Sequence, residues 1–177
     1  MNKKYLSIVL LFLVNCAVAQ VKYAVTKSTI TFQIKNMGFN TSGIMGGVQA
    51  DILFAPDKPD ASTISASADV TTINTDNNMK DEHLKSESFF DVAKYPKITM
   101  KSVSLQHKSG NNYTGLFSVT IKDKTKQLIM PFTYAENGTA ATFIGTLKLK
   151  RSDFGIGSSS MVLSNDVTIT IDVEASR

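Results

Sequence analysis

Apolar and polar residues alternate with a period of two along most of this chain, and turn-forming residues cut the alternation at short intervals. A strand points successive side chains to opposite faces, so this pattern describes half-buried strands. From Lys27 to Asn36, Ser28, Ile30, Phe32, Ile34 and Asn36 share one face, and Thr29, Thr31, Gln33 and Lys35 the other. Met37-Gly38 then turns the chain. Val48, Ala50, Ile52 and Phe54 alternate with Gln49 and Asp51, and Gly43, Gly46 and Gly47 nearby predict a bend or bulge. Pro56 to Ser62 reads as a loop. Ile64, Ala66, Ala68 and Val70 make the next face. Ile98, Met100 and Ser102 begin another, whose phase slips before Val103 and Leu105; a bulge near Ser102 accounts for the slip. After a turn at Ser109 to Asn112 come Tyr113, Phe117, Val119 and Ile121, then Leu128, Met130, Phe132 and Tyr134. Phe143, Gly145, Leu147 and Leu149 follow, and Val167, Ile169, Ile171 and Val173 close the chain, with turns at Asp123-Lys124 and Asn137-Gly138. About eight strands with short connections predict an antiparallel barrel or sandwich.

One segment departs from this pattern. Thr75 to Pro96, TDNNMKDEHLKSESFFDVAKYP, is polar and densely charged through Lys80, Asp81, Glu82 and Lys85. Asp76 or Asn77 can cap a helix, since a short side-chain oxygen accepts from an otherwise orphaned amide. Met79 and His83 then lie four apart on one helical face, with Leu84 beside them. Tyr95-Pro96 ends any helix, because proline disfavours the α region in the residue before it. The segment reads as a short helical lid, anchored by Phe89-Phe90, between two β regions.

The N-terminus reads as an export signal. Lys3 and Lys4 form a basic start, Leu6 to Val14 an apolar middle, and Ala17-Val18-Ala19 a small-residue cleavage site before Gln20. The expected organisation is a signal peptide over residues 1–19 and one domain over 20–177, in a periplasmic or secreted protein. Those two lysines supply part of the net charge of +4, and no run of basic residues with interleaved aromatics points to nucleic acid. The single cysteine, Cys16, falls inside the signal, so the exported chain relies on its core and not on disulfides. Leu13-Val14-Asn15-Cys16 offers a minor alternative, a lipoprotein attached at Cys16.

Few groups suggest chemistry. With His83 and His107 as the only histidines, the three or four convergent ligands of a zinc site are not expected. His107 belongs to a polar turn. Asp81, His83 and Ser86 invite a triad reading, but no nucleophile elbow accompanies them, and no catalytic residue is assigned. A structural role fits better: Asp81 capping or pairing with Lys80 or Lys85, and His83 packed under the lid with one nitrogen bonded. Arg151 and Asp153 are expected as a buried ion pair at a barrel end. Periodicity leaves open whether the inward faces fill the interior or enclose a cavity; the methionines suit either, because thioethers conform to irregular apolar partners.

The lid and three other stretches carry a resemblance. Asp81, His83-Leu84, Phe89-Phe90-Asp91-Val92, Lys94-Tyr95-Pro96 and Ile98 resemble the signature of the YceI family, lipocalin-like polyisoprenoid-binding proteins. SVTIKDKTKQLIMPFTY (Ser118 to Tyr134) is similar to a family strand–turn–strand, with Asp123 where glycine is usual. LKRSDFGIG (Leu149 to Gly157) and DVTITIDVEA (Asp166 to Ala175) resemble a second motif and the closing strand. Lys80 stands where the family usually has arginine, which keeps the charge and loses the planar fork. Lys27-Ser28 and Asn36-Met37-Gly38 stand where the family commonly has His-Ser and a histidine before Met-Gly, so no imidazole acts at either place.

The resemblance implies an all-β fold, an extended eight-stranded antiparallel lipocalin-like barrel with a short helical lid. It implies a binding protein and not an enzyme: a carrier for a long lipophilic ligand, a polyisoprenoid or isoprenoid quinone, with no other cofactor and no metal. The ligand-binding candidates are Phe32, Ile34, Asn36, Met37, Met79, Asp81, His83, Phe89, Met100, Phe117 and Phe132. A transient membrane contact and a homodimer are compatible partners. The rival readings are an enzyme acting on an isoprenoid substrate and a ligand-free structural or stress-protection module.

Overall fold

The computed structural model describes residues 20–177. The expected signal peptide, its cleavage site and Cys16 lie outside the described residues. Eight strands run in chain order: β1 (Val21–Asn36), β2 (Phe39–Phe54), β3 (Thr63–Asn74), β4 (Lys97–Ser109), β5 (Asn112–Ile121), β6 (Lys124–Asn137), β7 (Ala140–Lys150) and β8 (Leu163–Ser176). Each pairs antiparallel with its neighbours, and β8 pairs back onto β1, so the sheet closes into a barrel. One helix, α1 (Asn78–Lys85), lies between β3 and β4. The sandwich alternative is thereby excluded. Closure gives every strand a partner on both sides, which reduces the aggregation hazard that open sheet edges create.

Bulges explain where the alternation changes phase. The β4–β5 register shifts between Ser102 and Ser104, so Val103 is the extra residue and turns outward. Ile98 and Met100 before it and Leu105 after it then all face inward. In β2 the register shifts around Gly46 and Gly47. Gly47 has φ +62°, and a Cβ there would sit 2.5 Å from the Asp69 Cβ, so only glycine fits. β1 is longer than the expected Lys27–Asn36 because a shift between Val25 and Lys27 hides its first half from a period-two reading. His107 is also placed differently: it lies within strand β4 opposite Tyr113, with its ring nitrogen Nε2 hydrogen-bonded to the Gly110 carbonyl.

The two ends of the barrel are built differently. At one end Tyr23, Phe54, Tyr113, Phe132, Tyr134 and Phe143 pack edge to face and stacked, with Phe54 inaccessible to solvent among them. This aromatic cluster is a solid floor. The Tyr23 and Tyr134 hydroxyls share a 2.7 Å hydrogen bond, and the Tyr134 hydroxyl donates to Glu136 at 2.7 Å. The opposite end carries the β1–β2 turn, α1, the β5–β6 turn and the β7–β8 connection. There a smaller apolar cluster of Met45, Ala68, Val70 and Ile73 packs with Leu84, Phe90 and Val92 of the lid segment.

Candidate functional site: an apolar chamber and its mouth

Between the aromatic floor and the lid the interior is hollow. The chamber has a volume of about 410 Å³, and its wall is almost wholly aliphatic and aromatic. The cause is side-chain size. Ala50, Ala66 and Ala68 face inward on adjacent strands, with Ala50 paired to Ala66 and Ala66 to Met100. Gly145 thins the opposite wall, where the Met130 sulfur occupies the space a Cβ would need. Phe32 lies against Gly43, its cross-strand partner, since a Cβ on Gly43 would meet the ring at 2.4 Å. The inward alternation of a small barrel normally fills its axis. Small residues on the inward faces of several strands leave it open.

Eight of the expected ligand-contacting residues line this chamber: Phe32, Ile34, Asn36, His83, Phe89, Met100, Phe117 and Phe132. They reach from floor to rim, with Phe132 at the bottom and Asn36 and His83 at the top. Met37, Met79 and Asp81 do not line it. Met37 sits in the β1–β2 turn with φ +50°, and Met79 points into solvent from the first turn of α1. Asp81 is buried, but its Oδ1 accepts from the Thr75 amide (2.8 Å) and hydroxyl (2.7 Å), so it ties the lid to the end of β3. It pairs with neither Lys80 nor Lys85; Lys85 pairs with Glu82.

The lid itself is legible in its residues. Asn77 is the N-cap, its side-chain oxygen accepting from the Lys80 amide at 3.0 Å, and Asp76 before it is left-handed at φ +58°. His83 is exposed at the rim and stacks obliquely on Phe89, with ring centroids 4.6 Å apart, so it does not pack under the lid. Phe89 in turn abuts Gly157, where a Cβ would meet its ring at 3.0 Å, and the Gly157 amide donates to the Ser88 carbonyl. Arg151 closes the same corner. It is buried and forms no ion pair among the described residues; Asp153 is exposed. Its guanidinium donates to the carbonyls of Ile156, Ser158 and Ser164 at 2.8–2.9 Å instead.

Residue-type patterns missed part of the wall. Thr41, Thr75, Lys80 and Arg151 reach the chamber, and the alanines on β2 and β3 set its width. A run of small residues on the inward phase of neighbouring strands was the available signal. Among the described residues no carboxylate lines the chamber. Such a space can hold an extended apolar molecule with a polar end at the rim.

Known proteins share this architecture. The crystal structure of Burkholderia cenocepacia BcnA superposes with a TM-score of 0.82 at 27% identity, covering 87% of this chain and 99% of that one. A polyisoprenoid binding domain from Saccharophagus degradans superposes with a TM-score of 0.64 at 14% identity, covering 88% and 97%, a likeness of fold alone. Among sequence relatives, a UPF0312 protein of Azotobacter vinelandii is 24% identical over 155 residues, 84% of this chain and 81% of its own. A UPF0312 protein of Shewanella putrefaciens is 26% identical over 157 residues, 85% and 82%. The YceI-like domain model matches residues 22–175, from the start of β1 to the end of β8. A closed eight-stranded barrel, a lidded end and a match of that extent have one reading: the chain belongs to the YceI-like domain family.

Proposed function

We propose that this protein is an exported carrier for one long lipophilic molecule, a polyisoprenoid or isoprenoid quinone, held along the barrel axis. The observation that carries the reading is the apolar chamber of about 410 Å³ between floor and lid. Small-molecule sites fall in this size range. Each buried CH₂ is worth about 0.8 kcal/mol, so a five-carbon unit contributes roughly 4 kcal/mol. A few such units suffice for tight retention without a polar contact. The polar end sits at the rim, within reach of Asn36, Lys80 and His83, which line the chamber there. Asn36 can both donate and accept.

Binding, not turnover, is the activity. With the Arg151 guanidinium held by backbone carbonyls, the other titratable side chains on the chamber wall are Lys80 and His83. The Saccharophagus domain, described as polyisoprenoid binding, supports the ligand class. The apolar run before Ala17-Val18-Ala19 supports export to the periplasm or beyond. Each chain encloses its own chamber, so the carrier role does not depend on a dimer.

The test is to extract protein from its native host under denaturing conditions and identify bound lipid by mass spectrometry, then to strip it and rebind a polyprenol or an isoprenoid quinone. The expected result is a near-stoichiometric isoprenoid and saturable rebinding. An empty extract together with no rebinding overturns the proposal.

A further inference from the structure

The end that holds the mouth is also where this protein leaves large apolar side chains in water. Met37 and Phe39 flank Gly38 at the β1–β2 turn and are 71% and 78% exposed. Met79, at the start of α1, is 82% exposed, and Met161 and Val162 project from the connection into β8. The Met37 amide donates to the Val162 carbonyl at 2.8 Å, so the hairpin tip and the 161–162 segment stand side by side. Among the described residues no large exposed hydrophobic stands in the turns of the floor end; Val103, Ile129 and Ile144 are scattered along the side wall. Single exposed apolar residues need no explanation, but a ring of them around one opening does.

Two lysines accompany the ring. Lys35 lies opposite Asn40 in the β1–β2 hairpin, and Lys80 lines the rim of the chamber. Neither forms an ion pair among the described residues, although Asp76 is close to Lys80 in sequence.

We propose that the mouth end is a docking surface for a lipid bilayer. Met37, Phe39, Met79, Met161 and Val162 enter the boundary between headgroups and acyl chains, Lys35 and Lys80 meet the phosphates, and the chamber opens onto the lipid phase. Amphipathic faces of this kind bind by apolar burial plus attraction to anionic lipid. Contact is interfacial: among the described residues no helix is long and apolar enough to cross a membrane, and the outward faces of the strands carry side chains such as Lys22, Gln33, Gln49 and Asp51. The purpose of docking, loading and delivery of a lipid, rests on the carrier reading; docking itself needs no ligand.

The chain has no tryptophan, so one introduced tryptophan reports its own surroundings. Met161→Trp places it at the rim, and Val103→Trp places it on the side wall as a control. Stripped protein is mixed with vesicles of phosphatidylethanolamine and phosphatidylglycerol. The expected result is a blue shift for the rim tryptophan alone, and a loss of vesicle partition of about tenfold or more in the double variant Phe39→Ser, Met161→Ser. Residues 1–19 are common to every variant, so the difference reports the rim. No rim-specific shift, or equal partition by the double variant, overturns the proposal. So does a dimer that forms without vesicles and dissociates in the double variant while no variant binds vesicles; that outcome assigns the surface to a second copy. Protein that docks, yields an empty native extract and rebinds no isoprenoid sinks the carrier reading alone, and protein that rebinds but never docks sinks the docking surface alone.

Discussion

Arg151 shows how one side chain can organise the mouth. The β7–β8 connection between Phe154 and Leu163 has no regular structure, so its carbonyls lack strand partners. The guanidinium gathers the Ile156 and Ser158 carbonyls of this connection and the Ser164 carbonyl at the start of β8, and its five donors in a planar fork suit that task. Arg151→Met keeps most of the apolar stem and strands those carbonyls. We expect it to lower unfolding free energy by about 3 kcal/mol in urea titrations, with Arg151→Lys recovering only part, because an ammonium cannot span the same acceptors. Tyr134 carries a prediction in pH. Burial, followed by its hydrogen bonds to Tyr23 and Glu136, holds its phenol far above the usual value of 10.0. The folded state therefore keeps its proton where the unfolded chain loses it. Stability from this group is complete below pH 10 and declines as pH rises above it. Alkaline unfolding followed by circular dichroism should begin near that pH, and Tyr134→Phe should flatten its pH dependence.

At the scale of the element, the lid is a short helix held by contacts outside itself. Eight residues form too short a helix to persist alone. Asn77 caps it, the Asp81 carboxylate binds it to Thr75, and Phe90 packs into the upper core with Leu84 and Val92. Asp81→Ala removes a charge-assisted pair of bonds, each worth roughly 1.5–3 kcal/mol. Hydrogen exchange should then quicken in residues 75–86 while the strands stay protected. Phe90→Ala should speed ligand exchange by one to two orders of magnitude at roughly unchanged barrel structure, if lid opening limits release; stopped-flow displacement measures this. The cap was legible in the sequence because a cap is a local bond between near neighbours. The partner of Asp81 was not. It depends on the left-handed turn at Asp76, which folds Thr75 back onto the helix.

For the whole molecule the decisive feature is an interior closed at one end by aromatic rings and left open in the middle. Ala66→Phe projects a ring into the chamber. In a filled core such overpacking costs about 1–3 kcal/mol; here the ring finds space, so thermal stability should hold while isoprenoid binding falls. Calorimetry and a binding titration on the same sample distinguish the two. The strands, their inward phase, the Val103 bulge, the glycine bulge in β2 and the capped helix leave marks that are local in the sequence: alternation, breaks in phase and capping residues display them directly. Whether the inward faces meet or stand apart is a sum of side-chain volumes around a closed circumference. Ala50, Ala66, Ala68 and Gly145 come to line one chamber only when the strands are paired and the sheet is closed. The same holds for Met37 and Met79, whose types suit a lining but whose positions put them outside the rim. Strand identity was thus determined by local order in the sequence. The hollow axis and the apolar ring at the mouth were decided by the tertiary structure, because each depends on groups that only closure of the barrel brings together.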